Sequence, residues 1–157
     1  MELHLMAPGE EETLSTMIAR TLLTVNDPDY PLEELETLAA YYNPRRLAEI
    51  AAKGPLYILK KAEENRPLAC GALRPPEGEA PCPEIHCVFT ALDCQGLGYG
   101  RRIMAALEGS SLCQQARRVR LYASITARPF YEKLGYRHLD DSARPNPLGV
   151  FPMEKEL

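Results

Sequence analysis

The sequence predicts a mixed α/β sandwich formed by one domain that spans residues 1–157. A chain of 157 residues suits a single domain with a sizeable core. Helical periodicity dominates the N-terminal third, whereas strand-like runs dominate after Gly54-Pro55. Two of these later strands are each followed by a helix. There is no internal repeat, low-complexity tract or linker that would divide the chain.

The N-terminal third predicts one short strand followed by three helices. Pro8-Gly9 ends the strand, and the Asn-Asp-Pro-Asp run at 26–29 ends the first helix. Asn43 is a suitable cap for the third helix, because Pro44 occupies its first turn, where a missing N–H does no harm. The predicted elements are a strand at 3–7 and helices at 13–25, at 31–42 and from 44 onwards.

The remaining two thirds of the chain predict six strands and two helices. The clearest strand is EIHCVFTA at 84–91, and Gly135 stands where a glycine commonly follows the end of a helix. The predicted strands are 56–59, 68–73, 84–91, 119–124, 136–139 and 150–155; the helices are 101–116 and 127–134, and proline-containing loops occupy 74–83 and 142–149.

Composition excludes several classes of protein. A net charge of −4 argues against general nucleic-acid binding, and no apolar run approaches the length of a membrane helix. The N-terminus shows no signal peptide. The five cysteines are odd in number and have no CxxC spacing, so we expect free thiols in a reducing cytoplasm and no metal site.

Charge is distributed unevenly along the chain. Residues 1–45 contain nine acidic and two basic residues, whereas residues 95–137 contain eight basic and two acidic residues. This asymmetry is consistent with an anion site in the second segment and a cation-accepting surface in the first. Solvated helix faces with no special role explain it equally well.

The glycine-rich turn at Gln95–Gly100 is the motif that carries chemistry. It joins the strand at 84–91 to the helix that begins near Arg101. Glycines at such a turn let main-chain N–H groups converge, and a helix N-terminus behind them adds partial positive charge. The turn lacks the Lys-Ser/Thr of a Walker P-loop, and its glycine spacing does not fit a dinucleotide fingerprint.

Gln-x-x-Gly-x-Gly between an apolar strand and an amphipathic helix resembles the acyl-CoA motif of the GNAT superfamily of N-acetyltransferases. A second segment, SITARPFYEKLGY at 124–136, is similar to the strand–helix ending of the same family. The resemblance implies a mostly antiparallel central sheet of six to seven strands flanked by helices. It also implies that strands 84–91 and 119–124 splay apart to admit the cofactor.

The same resemblance implies acetyl-CoA as the cosubstrate and assigns the residues that bind it. The turn residues and Arg101 would bind the pyrophosphate through main-chain N–H groups. The strand end at 88–90 would pair with the pantetheine arm, and a main-chain N–H near Phe89 would stabilise the oxyanion. The full set is Val88, Phe89, Thr90, Gln95, Gly96, Leu97, Gly98, Tyr99, Gly100, Arg101, Ser124, Ala127, Phe130 and Tyr131.

Three residues are catalytic candidates, each with a simpler structural explanation. By resemblance, Tyr131 would protonate the leaving thiolate, although it could be only a packing aromatic. A primary amine has a pKa of about 10.4, so its attack at neutral pH requires a base. Glu84 and His86 share one face of a strand and are candidates for that base; a solvated glutamate and a packed histidine are the alternatives.

The predicted function is transfer of an acetyl group from acetyl-CoA to a primary amine by direct attack in a ternary complex. The resemblance places Asp29 and Tyr30 where relatives shape the acceptor pocket, and an ordinary loop explains them equally well; we expect a small molecule rather than a protein as the acceptor. Cys87 is expected to be a core residue rather than a covalent acyl carrier. The alternative from another class is a non-catalytic acyl-CoA-binding sensor or interaction domain. We expect a cytoplasmic monomer or homodimer that binds neither nucleic acid nor membrane.

Overall fold

The computed structural model describes residues 1–25, 28–140 and 144–157, and these form seven strands and six α-helices. The elements follow the predicted order, with small shifts at their ends. They are β1 (Glu2–Leu5), α1 (Glu11–Val25), α2 (Leu32–Tyr41), α3 (Pro44–Lys53), β2 (Leu56–Lys60), β3 (Pro67–Arg74), β4 (Glu84–Thr90), α4 (Tyr99–Glu108), α5 (Ser111–Ala116), β5 (Arg118–Ser124), α6 (Arg128–Lys133), β6 (Arg137–His138) and β7 (Val150–Glu156).

All seven strands form one sheet in the order β1-β2-β3-β4-β5-β7-β6. The β4–β5 pair is parallel and the other neighbouring pairs are antiparallel. This mixed, mostly antiparallel sheet confirms the predicted fold class. A single 3-10 turn over Leu92–Cys94 leads from β4 towards the glycine-rich turn.

Helices cover both faces of the sheet because side chains alternate between the two faces along each strand. Leu59 lies in the core formed with α4, whereas its neighbour Ile58 lies in the core formed with α1 and α3. On the first face, α4 contributes Ile103, Met104 and Leu107, all nearly fully buried. On the second face, the buried side chains of the helices include Leu14, Ile18, Leu22 and Leu47.

The sheet opens between β4 and β5. These strands pair only at Glu84 with Arg120 and at Ile85 with Leu121, so β4 has no β5 partner from His86 onwards. A bulge in the β3–β4 ladder accompanies the opening, and Cys87 there adopts a left-handed conformation with φ of 56°. Bulges bend a strand and increase its local twist. The predicted splay is therefore present, and it begins two residues into β4.

One predicted helix is wrong in extent. The segment 101–116 forms two helices, α4 and α5, which are separated at Gly109 and Ser110. The Ser110 hydroxyl accepts a hydrogen bond from the Cys113 N–H and caps α5. Serine is common at this position, because its hydroxyl accepts a hydrogen bond from an N–H at the helix start that has no main-chain partner. Apolar residues do not continue at helical spacing beyond Leu107, so the Gly109-Ser110 pair was an available signal for the break.

The other local predictions agree closely with the structure. The Asn43 side chain accepts a hydrogen bond from the Arg46 N–H and caps α3 as expected. Gly135 follows α6 with φ of 93°. Part of the predicted breaker at 26–29 and part of the loop at 142–149 lie outside the described residues. Among the described helices, none combines the length and apolar character that crossing a bilayer requires.

Candidate active site

A cleft lies where β4 and β5 separate, and it encloses about 340 Å³. One end is formed by the glycine-rich turn and the start of α4, and the other end lies against α6. Of the expected cofactor-binding residues, only Leu97 does not line this cleft; its side chain is 60% exposed. The lining members of the set are Val88, Phe89, Thr90, Gln95, Gly96, Gly98, Tyr99, Gly100, Arg101, Ser124, Ala127, Phe130 and Tyr131.

The glycine-rich turn lines the cleft with Gly96, Gly98 and Gly100. Gly98 precedes α4 with φ of 82°, and no side chain caps the helix there. The first N–H groups of α4 are thus without side-chain partners at the end of a helix that favours anions. The Gln95 side chain points back to the strand, where its Nε2 donates to the Thr90 oxygen at 2.6 Å. Gln95 therefore shapes the turn with its side chain.

The β4 side of the cleft is an open strand edge. Val88, Phe89 and Thr90 line it, and this part of β4 pairs with β3 on its other side only. Main-chain groups of an unpaired strand can form hydrogen bonds with an extended ligand as another strand would. The geometry therefore suits an extended polar chain such as a pantetheine arm.

The opposite wall comes from the end of β5 and the start of α6. The Ser124 hydroxyl accepts a hydrogen bond from the Ala127 N–H at 3.0 Å, which shapes the connection between these elements. Phe130 packs close to Gly100, where an added Cβ would lie 3.2 Å from its ring. A glycine at position 100 therefore allows α4 and α6 to approach each other across the cleft.

Tyr131 lines the cleft and is 7% exposed. Its ring packs edge-on against Phe130 and Tyr136. Burial, together with the nearby thiols of Cys70 and Cys87, raises the pKa of Tyr131, so the phenol keeps its proton at neutral pH. Within the described chain the hydroxyl has no hydrogen-bond partner. This phenol is available to donate to a ligand in the cleft.

The two candidate bases lie near the other end of β4, outside the lining of the cleft. Glu84 forms an ion pair with Arg74 at 2.9 Å. His86 borders a small cavity that also contacts Tyr41 and Arg74. Burial and the Arg74 charge lower the pKa of His86 to about 4, so the imidazole is neutral at pH 7. A neutral imidazole can accept a proton, whereas the Glu84 carboxylate already has a cationic partner.

A second groove of about 680 Å³ adjoins the cleft. Ser124 lines both cavities, and Tyr41 lines both the groove and the small cavity of His86. Glu33 and Glu34, from the first turn of α2, supply negative charge, and neither forms an ion pair with a described residue. The rest of the groove is mainly apolar or aromatic; it includes Tyr30, Leu35, Leu38, Leu148 and Val150.

The two predicted acceptor residues occupy the loop before α2. The Asp29 carboxylate accepts a hydrogen bond from the Thr126 hydroxyl at 2.6 Å. The Tyr30 hydroxyl forms hydrogen bonds with the main chain of Ile125 and of Gly149, and the Tyr30 side chain lines the groove. The polar ends of both side chains are thus engaged within the protein.

Sequence reasoning missed four residues that line the cleft: Thr21, Val25, Cys94 and Thr126. Thr21 is 4% exposed, and its hydroxyl lies 3.3 Å from the Thr90 oxygen and 3.0 Å from the Met17 oxygen. Its position on the apolar face of α1, one turn after Met17 and Ile18, was the available signal. No group of three or more His, Cys, Asp or Glu side chains suited to a metal ion occurs in the described ranges.

Comparisons with known proteins agree with this architecture. The model of the acetyltransferase (GNAT) domain family matches residues 26–157. No curated protein matches the sequence. Among solved structures, the PaiA N-acetyltransferase from Thermoplasma acidophilum, in complex with coenzyme A, has a TM-score of 0.84 at 15% identity, with 99% of this chain and 98% of that chain covered.

Two further structures share the fold. The GCN5-related N-acetyltransferase from Rhodopseudomonas palustris has a TM-score of 0.81 at 21% identity, covering 99% of this chain and 95% of that one. Aminoglycoside 6'-acetyltransferase type Ii has a TM-score of 0.71 at 18% identity, with 99% of this chain and 97% of that chain covered. The family match extends over most of the chain and includes the whole glycine-rich turn. The chain therefore belongs to the GNAT family of acetyltransferases.

Proposed function

We propose that this protein transfers an acetyl group from acetyl-CoA to a primary amine of a small molecule, by direct attack in a ternary complex. The observation that carries the proposal is the Tyr131 phenol: it is protonated, it has no partner among the described residues, and it lies in the cleft that the glycine-rich turn closes. A domain that only bound the cofactor would have no need for such a group.

Acetyl-CoA binding is supported by the chemistry of the cleft. The N–H groups after Gly98 suit the pyrophosphate, and the exposed Arg101 side chain, which also lines the cleft, can add charge. The open edge at Val88–Thr90 suits the pantetheine amides. The similar PaiA structure is a complex with coenzyme A, which agrees with this assignment.

The proposed reaction needs three contributions from the protein: stabilisation of the carbonyl oxyanion, a proton for the leaving sulfur, and a base for the proton that the amine loses. The amine nitrogen forms a bond to the thioester carbonyl carbon, and the carbon–sulfur bond breaks. A main-chain N–H near Phe89 stabilises the negative charge that develops on the carbonyl oxygen. Tyr131 gives its proton to the leaving sulfur and regains one from solvent.

We assign the base to His86 in preference to Glu84. The proton lost by the amine must reach a neutral or anionic acceptor. His86 is neutral, and its cavity adjoins the groove at Tyr41. Glu84 instead lines a cavity with Arg120 and is held by Arg74. Because neither side chain lines the cleft itself, the proton would travel through water between the groove and His86.

The acceptor proposed for the groove is a small amine with an apolar part. Its volume lies within the range typical of small-molecule sites. Glu33 and Glu34 would attract a protonated amine, and the apolar and aromatic walls would contact its carbon skeleton. The presence of Ser124 in both linings means that a bound amine and the end of the cleft are neighbours.

The deciding experiment measures thiol release from acetyl-CoA against a panel of amines, with calorimetry for acetyl-CoA binding. We expect binding in the absence of amine, and thiol release only with particular amines. Acetylated product should be identified by mass spectrometry to exclude simple hydrolysis. Binding without thiol release across a broad panel would contradict the proposal and favour the sensor function instead.

A further inference from the structure

The Tyr30 hydroxyl joins three separate segments of the chain. It accepts a hydrogen bond from the Ile125 N–H at 2.8 Å and donates one to the Gly149 oxygen at 2.9 Å. The partners lie 95 and 119 residues away in sequence. A phenol hydroxyl can donate one hydrogen bond and accept others through its oxygen lone pairs. The Tyr30 hydroxyl uses both abilities here.

The two bonded residues stand between residues that line different cavities. Ile125 is flanked by Ser124 and Thr126, which both line the cofactor cleft. Gly149 is flanked by Leu148 and Val150, which both line the groove. A displacement of either bonded residue would therefore change the wall of the cavity beside it.

The hydrogen bonds between β5 and β7 do not join the Ile125 and Gly149 segments, because they end at the last strand pair. β5 and β7 pair from Arg118–Glu156 to Ser124–Val150, and the described register ends there. Past that point the Tyr30 hydroxyl bridges the two segments, while Asp29 adds a bond to Thr126. The segment 146–150 forms one hydrogen-bonded turn, because the Asn146 side chain accepts hydrogen bonds from the N–H groups of Leu148 and Val150.

We infer that Tyr30 is a positioning residue that couples the acceptor groove to the acetyl-CoA cleft. This inference rests on the proposed function, since it takes one cavity as the cofactor site and the other as the acceptor site. Cofactor bound against Ser124 and Thr126 would restrain the Ile125 N–H, and Tyr30 would transmit that restraint to Gly149. The protonated phenol is needed for the second bond, and burial together with Asp29 and Glu34 raises its pKa.

The test is amide hydrogen exchange, with coenzyme A as the probe, so no acceptor needs to be known. In the wild type we expect coenzyme A to slow exchange both at 124–127 and at the amides of Gly149 and Val150. In Tyr30→Phe we expect slowing at 124–127 only, because the ring remains in the groove while the bridging hydroxyl is lost. The matched control is Tyr122→Phe on β5, because Tyr122 is exposed and its hydroxyl has no partner among the described residues.

The kinetic counterpart uses an amine that the thiol-release panel identifies. Tyr30→Phe should raise the KM for that amine about tenfold, while the Kd for acetyl-CoA stays within about threefold. A merely structural role would weaken both or neither. Equal effects on the two constants, or exchange at Gly149 and Val150 that responds to coenzyme A identically in wild type and Tyr30→Phe, would overturn the inference.

The two proposals fail in different ways. If the wild type shows the expected exchange pattern yet releases no thiol with any amine, the coupling stands and the transfer function fails. If coenzyme A slows exchange at 124–127 but not at Gly149 and Val150, the cofactor site stands and the coupling fails. If coenzyme A slows exchange nowhere in the chain, the cofactor cleft and the coupling both fail.

Discussion

The thiol of Cys70 donates a hydrogen bond to the main-chain oxygen of Cys87 at 3.3 Å, at the bulge where β4 leaves β5. Cys87 is 4% exposed, and its φ of 56° is rare for a residue with a Cβ. The contact with Cys70, and then burial, raises the pKa of the Cys87 thiol well above its ordinary value. The thiol is therefore protonated, as befits a core side chain and not an acyl carrier.

This relationship predicts that Cys87→Ala keeps its activity. Thiol release should remain within about threefold of the wild type, because direct attack requires no acylated cysteine. Intact-protein mass spectrometry after mixing with acetyl-CoA should show no acetylated enzyme. A loss of more than about a hundredfold, together with an acetylated wild-type protein, would instead support a covalent route.

Replacing Gly98 by alanine should impair acetyl-CoA binding. The residue has φ of 82°, and an added Cβ would meet nothing within 4 Å of the folded chain, so it would project into open space beside the turn. We expect at least about a tenfold increase in the acetyl-CoA Kd, measured by calorimetry, from the changed N–H geometry. Strain in the left-handed region should also cost about 1 kcal/mol of stability.

The control for this substitution is Gly78→Ala. Gly78 also has positive φ, at 59°, with open space around its added Cβ, but it lies in the loop between β3 and β4. Its alanine variant should show a similar loss of stability with unchanged acetyl-CoA affinity. Equal affinities for Gly98→Ala and Gly78→Ala would remove the turn from the cofactor site.

Tyr131→Phe should reduce kcat without reducing acetyl-CoA affinity. The substitution removes a hydroxyl that has no partner among the described residues, so folding stability should change little. General-acid contributions of about 10²–10⁴-fold are typical, and we expect a kcat decrease in that range. Tyr57→Phe, on a strand remote from the cleft lining, serves as the control. An unchanged kcat would refute the acid assignment.

The pH dependence of His86 variants should identify the base. A histidine must be neutral to accept a proton, so the active form of His86 is present above its pKa of about 4 and is lost as pH falls through that value. His86→Ala should lower kcat/KM by about tenfold across pH 6–8, because a base whose pKa lies well below the working pH contributes less than one matched to it. Glu84→Gln should change it by less than about threefold, because Arg74 already pairs with that carboxylate. The reverse result would assign the base to Glu84.

Acid stability should depend on Glu10, which connects β1, α1 and β2. Burial opposes its ionisation, but hydrogen bonds from the Ala7 N–H, Lys60 and His4 lower the pKa of Glu10 to about 2. The folded pKa lies below the unfolded value, so the stabilisation is present above about pH 4.5 and is lost as pH falls towards 2. Denaturant titrations should show Glu10→Gln destabilised by about 1–3 kcal/mol at pH 7.

The destabilisation caused by Glu10→Gln should shrink as pH falls through that window. Glu64→Gln is the control, since the Glu64 carboxylate is half exposed in its ion pairs with Lys61 and Arg66. Exposed pairs contribute little, so this variant should remain within about 0.5 kcal/mol of the wild type. A difference between Glu10→Gln and wild type that stays constant from pH 7 to pH 3 would contradict the prediction.

Local signals were sufficient for much of this fold. The Asn43 cap with Pro44, the turn at Gln95–Gly100 and the glycine after α6 each act over a few residues, through capping bonds or allowed φ values. The element order and most of the cleft lining followed from these signals and from the family resemblance. The break at Gly109–Ser110 also had local signals, since the apolar spacing of α4 ends at Leu107 and Ser110 is a suitable helix cap.

The sequence by itself determined the order of most helices and strands and the position of the glycine-rich turn. Only the tertiary structure decided that β4 and β5 share two register pairs, that Thr21 reaches the cleft, and that Tyr30 bridges Ile125 and Gly149. These features depend on hydrogen bonds and packing between segments far apart in the chain. Such contacts exist only after the sheet has assembled, so no local pattern of residue types records them.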